Sequence, residues 1–139
     1  MNDRADIARL SGAAGVHVGQ DDLSPAQVRG ILGADAIVGL STHTTEQLDR
    51  ALREPIDYVA IGPVFGTGTK ATGYEPISVE SVRTAAATCG AQDVPLVAIA
   101  GTTRDRAREL LAAGPRSVAV ISDLLAGGDP AVRVREFLG

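Results

Sequence analysis

Short apolar segments alternate with helical patterns along this 139-residue chain, and that alternation constrains its fold more than any other feature. Several of the apolar segments are nearly continuous runs of Val, Ile and Ala, which is typical of parallel strands that are covered on both faces. The order strand, helix, strand, helix predicts parallel βαβ units. The predicted strands are Gly15–Val18, Ala36–Leu40, Tyr58–Ile61, Leu96–Ala100 and Ser117–Ile121.

Helix signals fill the segments between these strands. Ser24 and Pro25 provide an N-cap and a first-turn proline for a helix that ends near Leu32. Thr44 with Gln47 predicts a capping box at the start of the next helix. The remaining helical patterns cover residues 6–10, 78–88, 103–113 and 130–137.

Two architectures are consistent with five such units. A doubly wound sheet of five strands accounts for their number, but it leaves the leading helical pattern at 6–10 unexplained, and no dinucleotide-binding glycine fingerprint follows the first strand. An α/β barrel also alternates strands and helices, and it places binding loops at the carboxyl ends of its strands.

The segment after the third predicted strand, GPVFGTGTK at 62–70, has the composition of such a loop. Gly66 and Gly68 allow the backbone to approach a ligand closely, and Lys70 adds a point charge suited to phosphate. The order of residues matches neither a P-loop nor G-x-G-x-x-G. A flexible surface loop with a solvated lysine is the alternative interpretation.

Composition excludes several classes of function. The net charge of −4 and the content of two Phe and two Tyr provide neither a basic surface nor a stacking platform for nucleic acid. The single cysteine, Cys89, precludes an internal disulfide and is expected to be a small helix residue rather than a nucleophile. No segment has the length of a membrane span or the pattern of a signal peptide, so we expect a soluble, cytoplasmic protein without membrane partners.

Five motifs together resemble thiamine phosphate synthase: NDR at 2–4, GVHVGQDDL at 15–23, GLSTH at 39–43, the loop GPVFGTGTK, and AVIS at 119–122. Their order and spacing agree across essentially the whole chain. The resemblance implies a (β/α)8 TIM-barrel type of α/β fold, truncated at the N-terminus to about five parallel βα units. Residues 1–139 would then be a single incomplete domain, with the end of unit three and units four to eight. Open barrel edges of this kind predict self-association.

The resemblance also implies a reaction. The family is a transferase of thiamine biosynthesis that couples hydroxymethylpyrimidine diphosphate with a thiazole phosphate, giving thiamine phosphate and pyrophosphate. Pyrophosphate leaves first, and the thiazole nitrogen then captures a pyrimidine-stabilised carbocation. Such a step needs neutralisation of the leaving group's charge and therefore Mg²⁺, lysine and arginine rather than a catalytic triad.

Site residues follow from the resemblance, position by position. Asp3 and Asp22 match the magnesium ligands, and Lys70 and Ser41 are the residues expected to act in catalysis. Asn2 and Ser41 match contacts to the pyrimidine, and Lys70 matches a contact to its diphosphate. Thr67 and Thr69 match contacts to the thiazole phosphate, and Gly68 between them is counted with the substrate-binding residues. The remaining phosphate contacts are matched by Gly101, Ile121 and Ser122.

Most of these residues have a plain structural alternative. Asp22 could have an Asx or N-cap role near Ser24, Ser41 could satisfy the end of a strand, and Gly101 could relieve a strand-to-helix turn. Asn2 and Asp3 lie close to a chain terminus, where fraying is common. The two histidines are expected in supporting roles, His17 as an inward, hydrogen-bonded core residue and His43 at the start of a helix.

The chain departs from the family pattern in three places. Ala100-Gly101 stands where two glycines are usual, Gly66 replaces a proline, and the Gln/Arg/Lys cluster that grips the diphosphate has no counterpart. Alternative functions are therefore a non-catalytic phosphate-binding remnant or a half-barrel subunit completed by a partner chain. The related thiazole tautomerase is a weaker alternative, because a histidine of its loop is Pro63 in this chain.

Overall fold

One parallel sheet of five strands organises the structure, a computed structural model that describes residues 1–66, 73–126 and 128–138. The strands lie side by side in the order in which they occur in the sequence, and every neighbouring pair is parallel. This order is consistent with part of a (β/α) barrel and differs from that of a doubly wound sheet, which reverses its strand order at a switch point. The predicted α/β class is confirmed. The strands are β1 Gly15–Val18, β2 Ile37–Thr42, β3 Tyr58–Ile61, β4 Leu96–Ala98 and β5 Ser117–Val118.

Helices follow each strand, and one precedes β1. They are α1 Ala5–Ser11, α2 Pro25–Leu32, α3 Thr45–Ala51, α4 Val79–Gly90, α5 Arg104–Ala112, α6 Ser122–Leu125 and α7 Pro130–Leu138. Six of these seven were predicted from helical spacing, whereas the short helix α6 was not. None of the helices in the described part of the chain is long and apolar enough to cross a membrane.

The strand ends differ from the prediction in ways that affect the site. Strand β2 continues to Thr42, so Ser41 lies within the strand, opposite Ala60 of β3, rather than after it. Strand β4 stops at Ala98, before the left-handed residues Ala100 and Gly101, which turn the chain towards α5.

The predicted helix caps are correct at Ser24 and half correct at Thr44. Ser24 Oγ accepts from the Gln27 amide while Gln27 Oε1 accepts from the Ser24 amide, as a capping box requires. Thr44 Oγ1 accepts from the Gln47 amide, but Gln47 Oε1 accepts from the amide of His43, one residue earlier than expected. The displaced bond holds the backbone of His43 at the edge of the cavity.

The two faces of the sheet have different surroundings. Alternate residues such as Val16, Val38 and Val59 point to the helices and are fully buried in the main apolar core. The intervening residues, among them His17, Ser41 and Tyr58, point to the other face and are half-buried. That second face forms the floor of a cavity instead of being covered by a helix layer.

The residues before α1 are paired with the sheet. Asn2 forms a parallel bridge with His17, the Asp3 amide donates to the His17 carbonyl at 2.8 Å, and the His17 amide donates to the Met1 carbonyl at 2.9 Å. These bonds join Asp3, whose φ is +59°, to the backbone of β1.

Candidate active site

The carboxyl ends of the strands border one open cavity of about 1090 Å³. Seven of the predicted site residues line it: Asn2, Asp3, Asp22, Ser41, Gly101, Ile121 and Ser122. Thr67, Gly68, Thr69 and Lys70 lie outside the described residues. Every predicted site residue that the structure describes therefore borders the same cavity, while their individual roles stay predictions.

A chain of hydrogen bonds runs across the floor of the cavity through His17. Its Nδ1 lies 2.8 Å from the Tyr58 hydroxyl, and its Nε2 lies 2.7 Å from Ser41 Oγ. The rings of His17 and Tyr58 also stack, with their centroids 5.4 Å apart. The predicted hydrogen bonding of His17 is confirmed, but its predicted place in the core is wrong, because the side chain is half-buried and lines the cavity. Its contacts fix the hydroxyl that the resemblance assigns to the pyrimidine.

Gly39 makes this arrangement sterically feasible. It pairs with His17 on one side and with Tyr58 on the other. A Cβ at Gly39 would overlap the Tyr58 ring, so only glycine allows the ring to lie across β2 towards His17.

Three carboxylates lie at the β1 end of the cavity, those of Asp3, Asp21 and Asp22. Asp22 Oδ2 accepts from the Gly19 amide at 2.7 Å, a contact that fixes the carboxylate beside the end of β1. The alternative in which Asp22 caps the next helix is wrong, because Ser24 supplies that cap. Among the described residues, no three His, Cys, Asp or Glu side chains are grouped as a complete metal site.

His43 lies beside the β3 end of the cavity. Its Nδ1 is hydrogen-bonded to the Gly62 carbonyl, and its ring stacks on Tyr74 with centroids 4.1 Å apart. Gln47 Nε2 donates to the Tyr74 hydroxyl at 2.9 Å. These contacts give His43 the supporting role predicted for it.

The opposite rim follows β4 and consists of tightly packed backbone. Ala100 and Gly101 have φ values of +72° and +67°, and a Cβ at Gly101 would lie 2.6 Å from Phe65 Cβ. Phe65 and Gly66 therefore pack directly on Gly101. The side chain of Thr102 is 5% exposed, and Arg106 reaches back from α5 to the same rim.

Asp123 fixes the short helix α6 against its neighbours. Its Oδ2 accepts from the Arg104 amide of α5 at 3.1 Å and from Arg133 Nη2 of α7 at 2.7 Å. The carboxylate thus joins the starts of α5 and α6 to α7. Ser122, the first residue of α6, is positioned by this link.

A known protein family matches most of the chain. The sequence model of the family described as thiamine monophosphate synthase matches residues 1–124. The chain belongs to the thiamine monophosphate synthase family.

Members of this family resemble the chain in both sequence and structure. Over 99% of its own length, the chain is 47% identical to a thiamine-phosphate synthase of Koribacter versatilis. Over the same share of its length, it is 41% identical to one of Chlorobium luteolum. The structure of a thiamine phosphate pyrophosphorylase from Pyrococcus furiosus superposes on 99% of the chain with a TM-score of 0.87 and 30% identity. The chain spans 63% of the Koribacter protein, 64% of the Chlorobium protein and 63% of the Pyrococcus chain.

Three side chains at this cavity were missed by sequence reasoning. Tyr58 was placed in a strand by its composition alone, although its hydroxyl contacts His17. Gln20 Nε2 donates to the Ser41 carbonyl at 2.7 Å, and Arg106 was included only in a helical pattern. For Arg106 a signal existed, since it lies in the first turn of the predicted helix, five residues after Gly101, a candidate phosphate contact.

Cys89, by contrast, is excluded from the chemistry of the site. It is buried in the core behind the sheet, and burial raises the pKa of its thiol to about 11. The expectation of a small, unreactive helix residue is confirmed.

Proposed function

We propose that the chain forms thiamine phosphate from hydroxymethylpyrimidine diphosphate and thiazole phosphate, within a domain as long as those of its relatives. The observation that carries the proposal is the convergence of residues after β1, β4 and β5, together with Ser41 of β2, on one cavity in a member of this family. The expected cytoplasmic location is part of the same proposal.

The proposed chemistry is a substitution at the methylene carbon of the pyrimidine. The bond from this carbon to the diphosphate oxygen breaks, and pyrophosphate leaves with the electron pair. The thiazole nitrogen then donates its lone pair to the carbon. This order needs no strong base, which agrees with a His17 whose two ring nitrogens are bonded to hydroxyl groups.

Individual residues have distinct tasks in this scheme. Ser41 Oγ, oriented by His17, contacts the pyrimidine, and the Asn2 side chain does so from the β1 edge. Lys70 places its charge on the departing pyrophosphate, where charge develops in the transition state.

Asp3 and Asp22 fit a magnesium ion as part of its ligand set. Both line the same end of the cavity, and carboxylate oxygens are ligands that Mg²⁺ prefers. With only these two residues assigned, diphosphate and water oxygens would complete the coordination. When bound, the ion would neutralise charge on the diphosphate.

The test is the formation of thiamine phosphate from the two substrates, with and without Mg²⁺. The chain is assayed alone and fused behind the region of the Koribacter relative that the match leaves out. The proposal is supported if thiamine phosphate forms only with Mg²⁺ and if its rate of formation is about 10²–10³-fold lower in Ser41→Ala. A folded fusion that forms no product contradicts it.

Phosphate binding without turnover is the second candidate. Gly101, Thr102 and Ser122 line one rim of the cavity, where glycine and small polar side chains permit the close approach of a phosphate. Calorimetric titration with thiazole phosphate, combined with the assay, separates the two functions. Binding to a fusion that has no activity favours the second.

A further inference from the structure

Charge is distributed unevenly around the cavity. Asp3, Asp21 and Asp22 lie at its β1 end, and Asp123 on the far rim is already paired with Arg133. Among the described residues that line the cavity, Arg106 is the only lysine or arginine. One end is therefore acidic, and the other has a single cationic group.

Contacts within the rim hold the Arg106 guanidinium in place. Its Nη1 donates to the Gly101 carbonyl at 2.9 Å, and its central carbon lies 4.3 Å from the centroid of the Phe65 ring. No carboxylate in the described part of the chain forms an ion pair with it. A guanidinium has five N–H donors, so most of its hydrogen-bonding capacity remains for a ligand.

Thr102 supplies an independent observation at the same rim. Its Oγ1 is buried and has no hydrogen-bond partner among the residues that the structure describes, although the residue lines the cavity. A buried hydroxyl without a partner is costly, and a ligand oxygen at the rim would satisfy it.

We infer that Arg106 and Thr102 bind the phosphate monoester of the thiazole substrate. The inference rests on the proposed function and adds to it two side chains that the family resemblance does not assign. Arg106 contributes a charge that Gly101, Ile121 and Ser122 lack, and Thr102 contributes a directed hydroxyl.

The distribution of charge selects the monoester over the pyrimidine diphosphate. The three carboxylates at the β1 end repel an anion, so a diphosphate at that end needs compensating positive charge, which a metal ion and Lys70 would supply in the proposed function. A monoester without a metal is attracted to the end that carries Arg106.

The first test is calorimetric titration of the chain with thiazole phosphate and with its dephosphorylated alcohol. We expect Arg106→Ala to weaken binding of the phosphate about 10–100-fold and to leave binding of the alcohol unchanged. Arg108→Ala is the matched control, because it removes the same charge from an exposed position of the same helix outside the cavity. Its affinities should remain those of the wild type.

Thr102→Val separates a ligand contact from a structural role. The substitution removes the unsatisfied hydroxyl while keeping the shape of the side chain, so the melting temperature should be unchanged or higher. Affinity for the phosphate should nevertheless fall several-fold. A structural role alone would change stability without this selective loss.

The outcomes distinguish this inference from the proposed function. Equal affinity of wild type and Arg106→Ala for the phosphate overturns the inference, as does a wild-type chain that binds phosphate and alcohol equally. If binding depends on Arg106 but the fusion forms no thiamine phosphate, the inference stands and the proposed function fails.

Discussion

The hydroxyl groups of Ser41 and Tyr58 share His17 as a partner, at 2.7 and 2.8 Å. We predict that His17→Ala lowers the free energy of unfolding by about 1–3 kcal/mol, because both half-buried hydroxyls lose a hydrogen bond and the stacked ring is removed. Urea unfolding measures this change. The same variant should lower activity, since Ser41 is no longer oriented.

Tyr58→Phe is the matched control for this prediction. It removes one hydrogen bond and keeps the ring, so the expected loss is only about 0.5–1.5 kcal/mol. If His17→Ala were no more destabilising than Tyr58→Phe, the view that His17 joins the two hydroxyls would be wrong.

Ala100 and Gly101 are adjacent residues with left-handed φ values of +72° and +67°. This conformation is unfavourable for alanine by about 1–2 kcal/mol, and the greater freedom of glycine in the unfolded chain offsets part of the gain from replacing it. We predict that Ala100→Gly stabilises the protein by about 0.5–1 kcal/mol, measured by thermal unfolding.

Gly101→Ala should have the opposite effect. It adds a left-handed alanine, and its Cβ would lie 2.6 Å from Phe65 Cβ. We expect a loss of about 2–5 kcal/mol. If the loss of stability in Gly101→Ala were no larger than the gain in Ala100→Gly, the rim would have relaxed around the added methyl group.

The site residues at the ends of strands were predictable from the sequence, whereas the contacts between side chains of different strands were not. Asp22 and Ser122 were identified because they follow apolar strands at the positions that a family resemblance assigns. The partnership of Tyr58 with His17 depends on the register of three strands, and no local pattern encodes that register. Thr102 is notable only because its hydroxyl is buried, which spacing does not reveal.

Within the sheet, Gly39 is the central member of a layer formed by His17, Gly39 and Tyr58. We predict that Gly39→Ala destabilises the protein by about 1–3 kcal/mol, because the added Cβ overlaps the Tyr58 ring and must displace it. Chemical denaturation measures the change.

A double-mutant cycle tests the cause of that effect. In a Tyr58→Ala background the ring is absent, so Gly39→Ala should cost much less than it does in the wild type. An unchanged cost would place the strain in the backbone of β2 rather than in the contact with the ring.

The secondary-structure elements were predictable where their own residues determine them. The Ser24 and Gln27 side chains alone form the capping box of α2, and the sequence contains both. The helix α6 is different, since it has only four residues and is held by Asp123 contacts with α5 and α7. A helix of four residues is too short to show helical periodicity in the sequence, so α6 could not be predicted.

For the molecule as a whole, the order of the strands follows the order of the chain, and this leaves β1 and β5 at the two edges of the sheet. The alternation of strands and helices predicted a parallel sheet, but alternation alone does not determine strand order. The family resemblance was needed to choose the barrel arrangement.

The edge of the sheet at β5 is expected to promote self-association. Strand β5 has only two residues, and among the described residues it pairs only with β4. The two helices that follow β5 in the chain, α6 and α7, expose large apolar side chains, with Leu125 at 69% and Leu138 at 83%. Exposed edges and apolar patches promote association between copies. We therefore expect the sedimentation coefficient of the chain to rise with its concentration. Lysine at both leucine positions should reduce this rise, whereas Leu23→Lys, at an exposed position between β1 and α2 on the far side of the sheet, should not. A sedimentation coefficient that is independent of concentration would show that these apolar side chains do not mediate association.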